Sequence, residues 1–150
     1  MLSIERTTSS NSDFIELVKA LDIELAIRDG ADHEFFAQFN KIDHLNHVVV
    51  AYWESKPAGC GAFKPYQDGV AEIKRMFVYP DFRNKGIASA VLNNLSIWSK
   101  ECGFKKLILE TGINQPEAIQ LYQKNDFVRT ANYGQYIGVA LSLCFEKNLS

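Results

Sequence analysis

The chain holds only three cysteines in 150 residues, has no surplus of basic charge, and lacks both long apolar runs and glycine-rich nucleotide loops. Each shortage excludes a class of protein. Cys60, Cys102 and Cys144 are odd in number and lack metal-ligand spacing. They argue against a disulfide framework or a zinc module, and they read as reduced, mostly buried thiols of a cytoplasmic protein. Sixteen basic against 18 acidic residues give a net charge of -2, without the basic excess that general nucleic-acid binding needs. The longest uncharged stretch, Thr130 to Phe145, has 16 residues and is broken by Asn132, Gln135 and Ser142. It is too short and too polar to span a membrane. The opening MLSIERTTSS has no apolar core, so no secretory signal is expected. Neither G-x-x-x-x-G-K-[ST] nor a G-x-G-x-x-G following a strand occurs, so nucleotide P-loops and dinucleotide fingerprints are absent. No repeat, low-complexity tract or linker divides the chain, and one domain over residues 1–150 is expected.

What is present is an ordinary globular composition, 47% hydrophobic and 23% charged. The charge is uneven: residues 1–54 carry a net -6 and residues 55–150 a net +4. Either these are scattered solvated charges, or one half meets a cationic ligand and the other an anionic one. Leu2 to Arg6 alternates as a short strand. A helix follows, its N-cap chosen among Ser10, Asn11, Ser12 and Asp13, with Asp13 and Glu16 spaced as a capping box. Phe14, Leu17, Val18, Leu21 and Leu25 form its apolar face, and Gly30 ends it. A short helix is expected over Asp32 to Phe39.

Strands over His47–Trp53, Ala58–Lys64 and Gly69–Val78 follow, separated by Ser55-Lys56-Pro57 and Gln67-Asp68-Gly69 as in an antiparallel meander. After Pro80 a long helix carries Ile87, Val91, Leu95, Trp98 and Cys102 on one face and ends at Gly103. A strand core over Leu107–Leu109, a helix over Asn114–Lys124 and strands near Phe127–Thr130 and Leu141–Glu146 complete the chain. The order β-α-α-β-β-β-α-β-α-β-β predicts an α/β domain with a mixed central sheet flanked by helices.

The chemistry concentrates in Glu72-Ile-Lys-Arg-Met-Phe-Val-Tyr-Pro-Asp-Phe-Arg83-Asn-Lys-Gly86-Ile-Ala88. A strand ends at Pro80 and a helix begins near Gly86. The first N–H groups of that helix have no intrahelical partner, and its dipole adds partial positive charge. Gly86 permits close approach of an anion, Ala88 is nearly as small, and Arg83 and Lys85 add two charges. The segment reads as a pyrophosphate cradle.

RNKGIA, the preceding EIKRMFV and the downstream ETGINQPEAIQLYQKNDF together resemble the GNAT superfamily of acetyl-CoA-dependent N-acetyltransferases, over about residues 69–131. The resemblance implies that the backbone of Met76, Phe77 and Val78 pairs with the pantetheine arm of acetyl-CoA. It also implies that the N–H groups of Arg83, Asn84, Lys85, Gly86, Ile87, Ala88 and Ser89 hold the pyrophosphate. Two positions depart from the family pattern: Ala88 stands for the commoner second glycine, and Asn125-Asp126 for the glycine before Phe127. Asparagine tolerates the left-handed conformation that the latter needs.

Transfer of acetyl from a thioester to an amine needs a neutral amine, a donor for the oxyanion and a proton for the thiolate. By resemblance Tyr122 lies near the cofactor sulfur as the acid; alternatively it packs against Ile119 and Phe127. Asn114 falls where the family contacts the pantetheine arm, or it caps its helix with Glu117. Glu72 lies eleven residues before Arg83, the offset of the general-base glutamate in the histone-modifying branch. The alternative is a surface carboxylate beside Lys74. Glu110 is a second candidate. Tyr133, Gly134, Tyr136 and Gly138 precede the last strand, a connection that the resemblance implies borders the acceptor pocket; alternatively they pack at a strand end. His33, His44 and His47 show no metal spacing, and Cys144 reads as neither nucleophile nor ligand. The expected reaction is direct transfer to a primary amine of a small molecule, without metal, nucleic acid or membrane as partner. A protein or peptide acceptor and a non-catalytic acyl-CoA sensor are the alternatives, and a homodimer is one expectation carried by the resemblance.

Overall fold

A computed structural model describes residues 1–30 and 44–149. The helix expected over Asp32–Phe39, and His33 with it, lie outside the described residues. The elements are β1 (Leu2–Thr7), α1 (Ser12–Asp29), β2 (His47–Trp53), β3 (Lys56–Gln67), β4 (Val70–Val78), α2 (Ile87–Glu101), β5 (Lys106–Gly112), α3 (Pro116–Lys124), β6 (Val128–Thr130) and β7 (Ser142–Asn148). Single 3-10 turns occupy Pro80–Phe82 and Gly134–Tyr136. The strands form one sheet in the order β1-β2-β3-β4-β5-β7-β6. β4 and β5 run parallel, and every other pairing is antiparallel.

Alternation along the strands sorts side chains onto two packed faces. On one, Phe14, Leu17 and Val18 of α1 meet Val48, Val50, Cys60, Ala62 and Phe77. On the other, Ile87, Val91, Leu92 and Leu95 of α2, with Tyr122 and Phe127, cover Val49, Phe63, Ile73 and Val78. Each fully buried Val, Leu or Phe here contributes roughly 1.5–3 kcal/mol. α2 lies so close to β3 that a Cβ at Gly61 would sit 2.5 Å from Met76 Sδ and 2.9 Å from both Leu95 and Val91.

Several local expectations shift. Asn11 is the N-cap of α1, its Oδ1 accepting from the Phe14 N–H at 3.0 Å. The expected Asp13–Glu16 box does not form, because Asp13 instead accepts from the Tyr52 hydroxyl at 2.7 Å. The β2–β3 turn uses Glu54 and Ser55, both at positive φ, one residue earlier than the Ser-Lys-Pro signal. β3 runs through Pro57 and Pro65 because both lie beside register shifts, where the missing N–H disturbs the ladder least. Pro116 begins α3 with Gln115 as N-cap, so the expected Asn114–Glu117 cap is absent and Asn114 is exposed. Cys60 and Cys144 are buried, but Cys102 lies exposed at the C-terminal end of α2.

Candidate active site

The site follows from one incomplete strand pairing. β4 meets β5 only over Val70–Glu72 against Lys106–Ile108. Beyond that point β4 continues to Val78 beside β3, while β5 continues to Gly112 beside β7. The two strands therefore splay, and the β5-facing edge of β4 presents backbone groups without a strand partner among the described residues. Such an edge accepts an extended ligand as an added strand. The edge includes Met76, Phe77 and Val78, the residues expected to face the pantetheine arm.

A bulge shapes the same edge. The β3–β4 register slips between Cys60 and Ala62, and Arg75 takes φ +61. A left-handed arginine costs about 1–2 kcal/mol, so its surroundings must hold it. Its buried guanidinium bonds Asp22 of α1 at 2.9 Å, and Cys60 Sγ donates to its carbonyl at 3.3 Å. The extra residue exchanges the faces of everything after it. Phe77 consequently packs with α1, while Met76 and Val78 turn toward α2.

Past Pro80–Phe82, Asn84 (φ 65) and Gly86 (φ 78) turn the chain into α2 through two left-handed residues. Gly86 is the N-cap and has no side chain to satisfy the first N–H groups. Nothing lies within 4 Å of the Cβ it lacks, so the space in front of the helix is open. The edge of β4 and this helix start fit the arm and pyrophosphate of acetyl-CoA. The two expected cations are placed differently from each other. Arg83 turns toward α1, with Nη2 on Glu24 at 2.8 Å and Nε on the Val78 carbonyl at 3.0 Å. Exposed Lys85 lies 5.3 Å above the Trp53 ring. Ile87 is buried, Ala88 packs partly against the core, and the Ser89 hydroxyl accepts from Asn125 Nδ2 at 3.1 Å. The left-handed residue after α3 is Asp126 (φ 71), not Asn125. The Asn125 side chain instead joins the end of α3 to the start of α2.

Where β4 and β5 part, a cavity of about 80 Å³ opens. It is lined by Glu72, Lys74, Glu110, Thr111, Gln115, Tyr122 and Tyr136, with Leu21 and Leu25 of α1 along one wall. Glu72 is 3% exposed, which overturns the surface-carboxylate alternative. Its Oε2 accepts from the Tyr133 hydroxyl at 2.6 Å and lies 3.7 Å from Lys74 Nζ. Burial pushes the Lys74 amine below its ordinary range, against an opposing pull from Glu72. Glu110 accepts from the Ser142 hydroxyl at 2.7 Å. Tyr122 packs its ring edge-on to Phe127 at 5.8 Å, as the packing alternative expects, and it also lines the cavity. Burial, and next the charge of Glu110, pushes its phenol well above the ordinary range.

The structure thus brings Glu72, Glu110, Tyr122 and Tyr136 to one cavity, leaves Asn114 exposed in the turn between β5 and α3, and adds Lys74. Lys74 sits two residues after Glu72 in one strand, and that spacing was its available signal. His47 stacks on Phe63 at 4.5 Å, and His44 is exposed. Among the described residues no group of three His, Cys, Asp or Glu is arranged to hold a metal. No helix among them is long and apolar enough to cross a membrane.

Comparison with known proteins agrees with this geometry. The family model for the acetyltransferase (GNAT) family matches residues 15–127. An IAA acetyltransferase of Azospirillum brasilense is 29% identical over 150 residues, covering 99% of this chain and 98% of its own. The crystal structure of a Klebsiella pneumoniae protein described as an acyl-CoA N-acyltransferase superposes with a TM-score of 0.84 at 25% identity. It covers 100% of this chain and 99% of its own. A GNAT family acetyltransferase of Elizabethkingia anophelis, solved with acetyl-CoA bound, shares the fold with a TM-score of 0.69 at 20% identity, over 98% of this chain and 97% of its own. The splayed sheet, the left-handed glycine at the start of α2 and the family match over three quarters of its length place this chain in the GNAT acetyltransferase family, as an enzyme that uses acetyl-CoA.

Proposed function

We propose that the protein transfers acetyl from acetyl-CoA directly to the primary amine of a small molecule, with no covalent enzyme intermediate. The observation that carries this reading is the buried Glu72 carboxylate in the cavity where β4 and β5 part. An alkyl ammonium with a pKa near 10.4 is neutral in only about one molecule in 2,500 at pH 7. A carboxylate that holds the ammonium accepts its proton and releases the neutral amine in place, and the freed lone pair then attacks the thioester carbon. Acetyl-CoA supplies an activated thioester whose sulfur leaves as a thiolate. The thiolate is a weaker base than the Tyr122 phenolate, given a thiol pKa of about 8.5 and a phenol raised above 10. Tyr122 therefore acts as a hydrogen-bond donor to the charge developing on sulfur, and the proton finally bound there can come from solvent.

The cavity, walled by Leu21 and Leu25, has room for the end of a compact amine. The relative named IAA acetyltransferase also supports a small-molecule acceptor. The test is release of free thiol from acetyl-CoA with a panel of small amines and peptides, with acetylated products identified by mass spectrometry. Turnover with peptides alone would refute the small-molecule acceptor. Binding of acetyl-CoA without turnover on any amine would make the protein a sensor.

A further inference from the structure

Glu72 is gripped by a residue sixty-one positions away, from the loop between β6 and β7. Among the described residues, Tyr133 Oη and Lys74 Nζ both approach it on Oε2. We propose that Tyr133 is a positioning residue for proton removal, fixing the Glu72 carboxylate by one oxygen so that Oε1 receives the acceptor's proton. The inference rests on the reading that Glu72 takes that proton.

The loop is built to deliver this phenol. Asn132 Nδ2 donates to the carbonyls of Tyr136, Val139 and Ser142 at 3.0–3.2 Å, which closes the loop beside Tyr133. The Tyr133 ring is wedged edge-on between Tyr66 at 5.2 Å and Tyr136 at 5.6 Å. Gly134 takes φ +53, a conformation that favours glycine, and a Cβ there would press on the Tyr66 hydroxyl at 2.9 Å. With its ring fixed on both sides, Tyr133 has little rotational freedom in which to lose the 2.6 Å bond. Burial, and next the Glu72 charge, pushes its phenol far above the ordinary range, so it remains a donor across the working pH.

A donor bound to a carboxylate favours the ionised form, the form that can act as base. The other titratable groups around Glu72 are Lys74 on β4, Lys64 opposite it on β3, Glu110 on β5, Cys144 on β7 and Tyr136 of the same loop. All remain in Tyr133→Phe, which removes one hydroxyl and keeps the ring.

The experiment is a kcat/KM profile over pH for wild type, Tyr133→Phe, Glu72→Gln and the double variant, with one small amine. Tyr133→Phe should move the acid limb to higher pH by about one unit, so the loss approaches tenfold at pH values below the wild-type limb and fades above it. The KM for acetyl-CoA should be unchanged. Replacing Tyr133 by 3-fluorotyrosine, a stronger donor that keeps the ring, should move the limb the other way, and it serves if the phenylalanine variant folds poorly. In the Glu72→Gln background, Tyr133→Phe should add no pH dependence. A uniform loss at every pH, an unmoved limb, or an equal effect in both backgrounds would overturn the proposal. A Glu72→Gln variant with the wild-type profile would instead overturn the reading of Glu72 on which it rests.

Discussion

Gly86 offers a test that separates protein strain from ligand repulsion. Its φ of +78 costs a non-glycine residue about 1–2 kcal/mol. That corresponds to a fall in Tm of about 2–8 °C for a chain of this size. Yet nothing in the protein lies within 4 Å of the Cβ it lacks, so strain is the whole cost of substitution in the free enzyme. Gly86→Asn and Gly86→Asp share shape and comparable strain, since both tolerate this conformation better than other side chains. They differ by one negative charge in front of the α2 N-terminus. At about 4 Å from a phosphate oxygen, repulsion is about 1 kcal/mol in fully solvated surroundings and about 4 kcal/mol at an effective dielectric of 20. Acetyl-CoA should therefore bind the Asp variant about 5- to 1,000-fold more weakly than the Asn variant. The gap should narrow as salt is raised. Calorimetric titration of both variants, with melting curves alongside, measures the two contributions separately. Equal affinities for Asn and Asp would refute a pyrophosphate at this helix start.

Further outcomes follow from the same coordinates. Tyr122→Phe keeps the ring packed on Phe127 and Phe145. Its Tm should hardly move and acetyl-CoA binding should persist, while kcat falls about 100-fold, as for loss of one donor to developing charge. Steady-state kinetics with direct binding checks the split. Glu72→Gln should lower kcat/KM at pH 7 at least about tenfold, and the deficit should shrink as pH rises and free amine forms by itself. Parallel profiles of equal height would move the search for a base to Glu110. Gly61→Ala would press a methyl group into Met76, Leu95 and Val91. Overpacking of this kind should destabilise the fold by about 1–3 kcal/mol, read as a lower urea midpoint with an unchanged slope.

The sequence alone carried the order of the described elements, the two-sided burial and the helix start at Gly86, because these depend on residues close in the chain. The spacing of Phe14, Leu17, Val18 and Leu21 is enough to place one face of α1 on the sheet. Arg83-x-x-Gly86-x-Ala88 between a strand and a helix is enough to mark a candidate anion site. What depends on residues far apart was settled by tertiary structure. Glu72 beside Lys74 reads equally well as a solvated pair until the sheet buries it and a loop sixty-one residues away lays Tyr133 on it. The Arg83 side chain reads as added positive charge at the helix start, and only the fold shows that α1 presents Glu24 to it. Met76-Phe77-Val78 has no alternation to assign its faces. A bulge at Arg75, held by Asp22 and Cys60 from two other elements, decides that Phe77 turns to α1 and Val78 to α2. Local spacing fixes periodicity and caps, whereas the pKa, orientation and partner of a buried side chain depend on which distant segments remove its water.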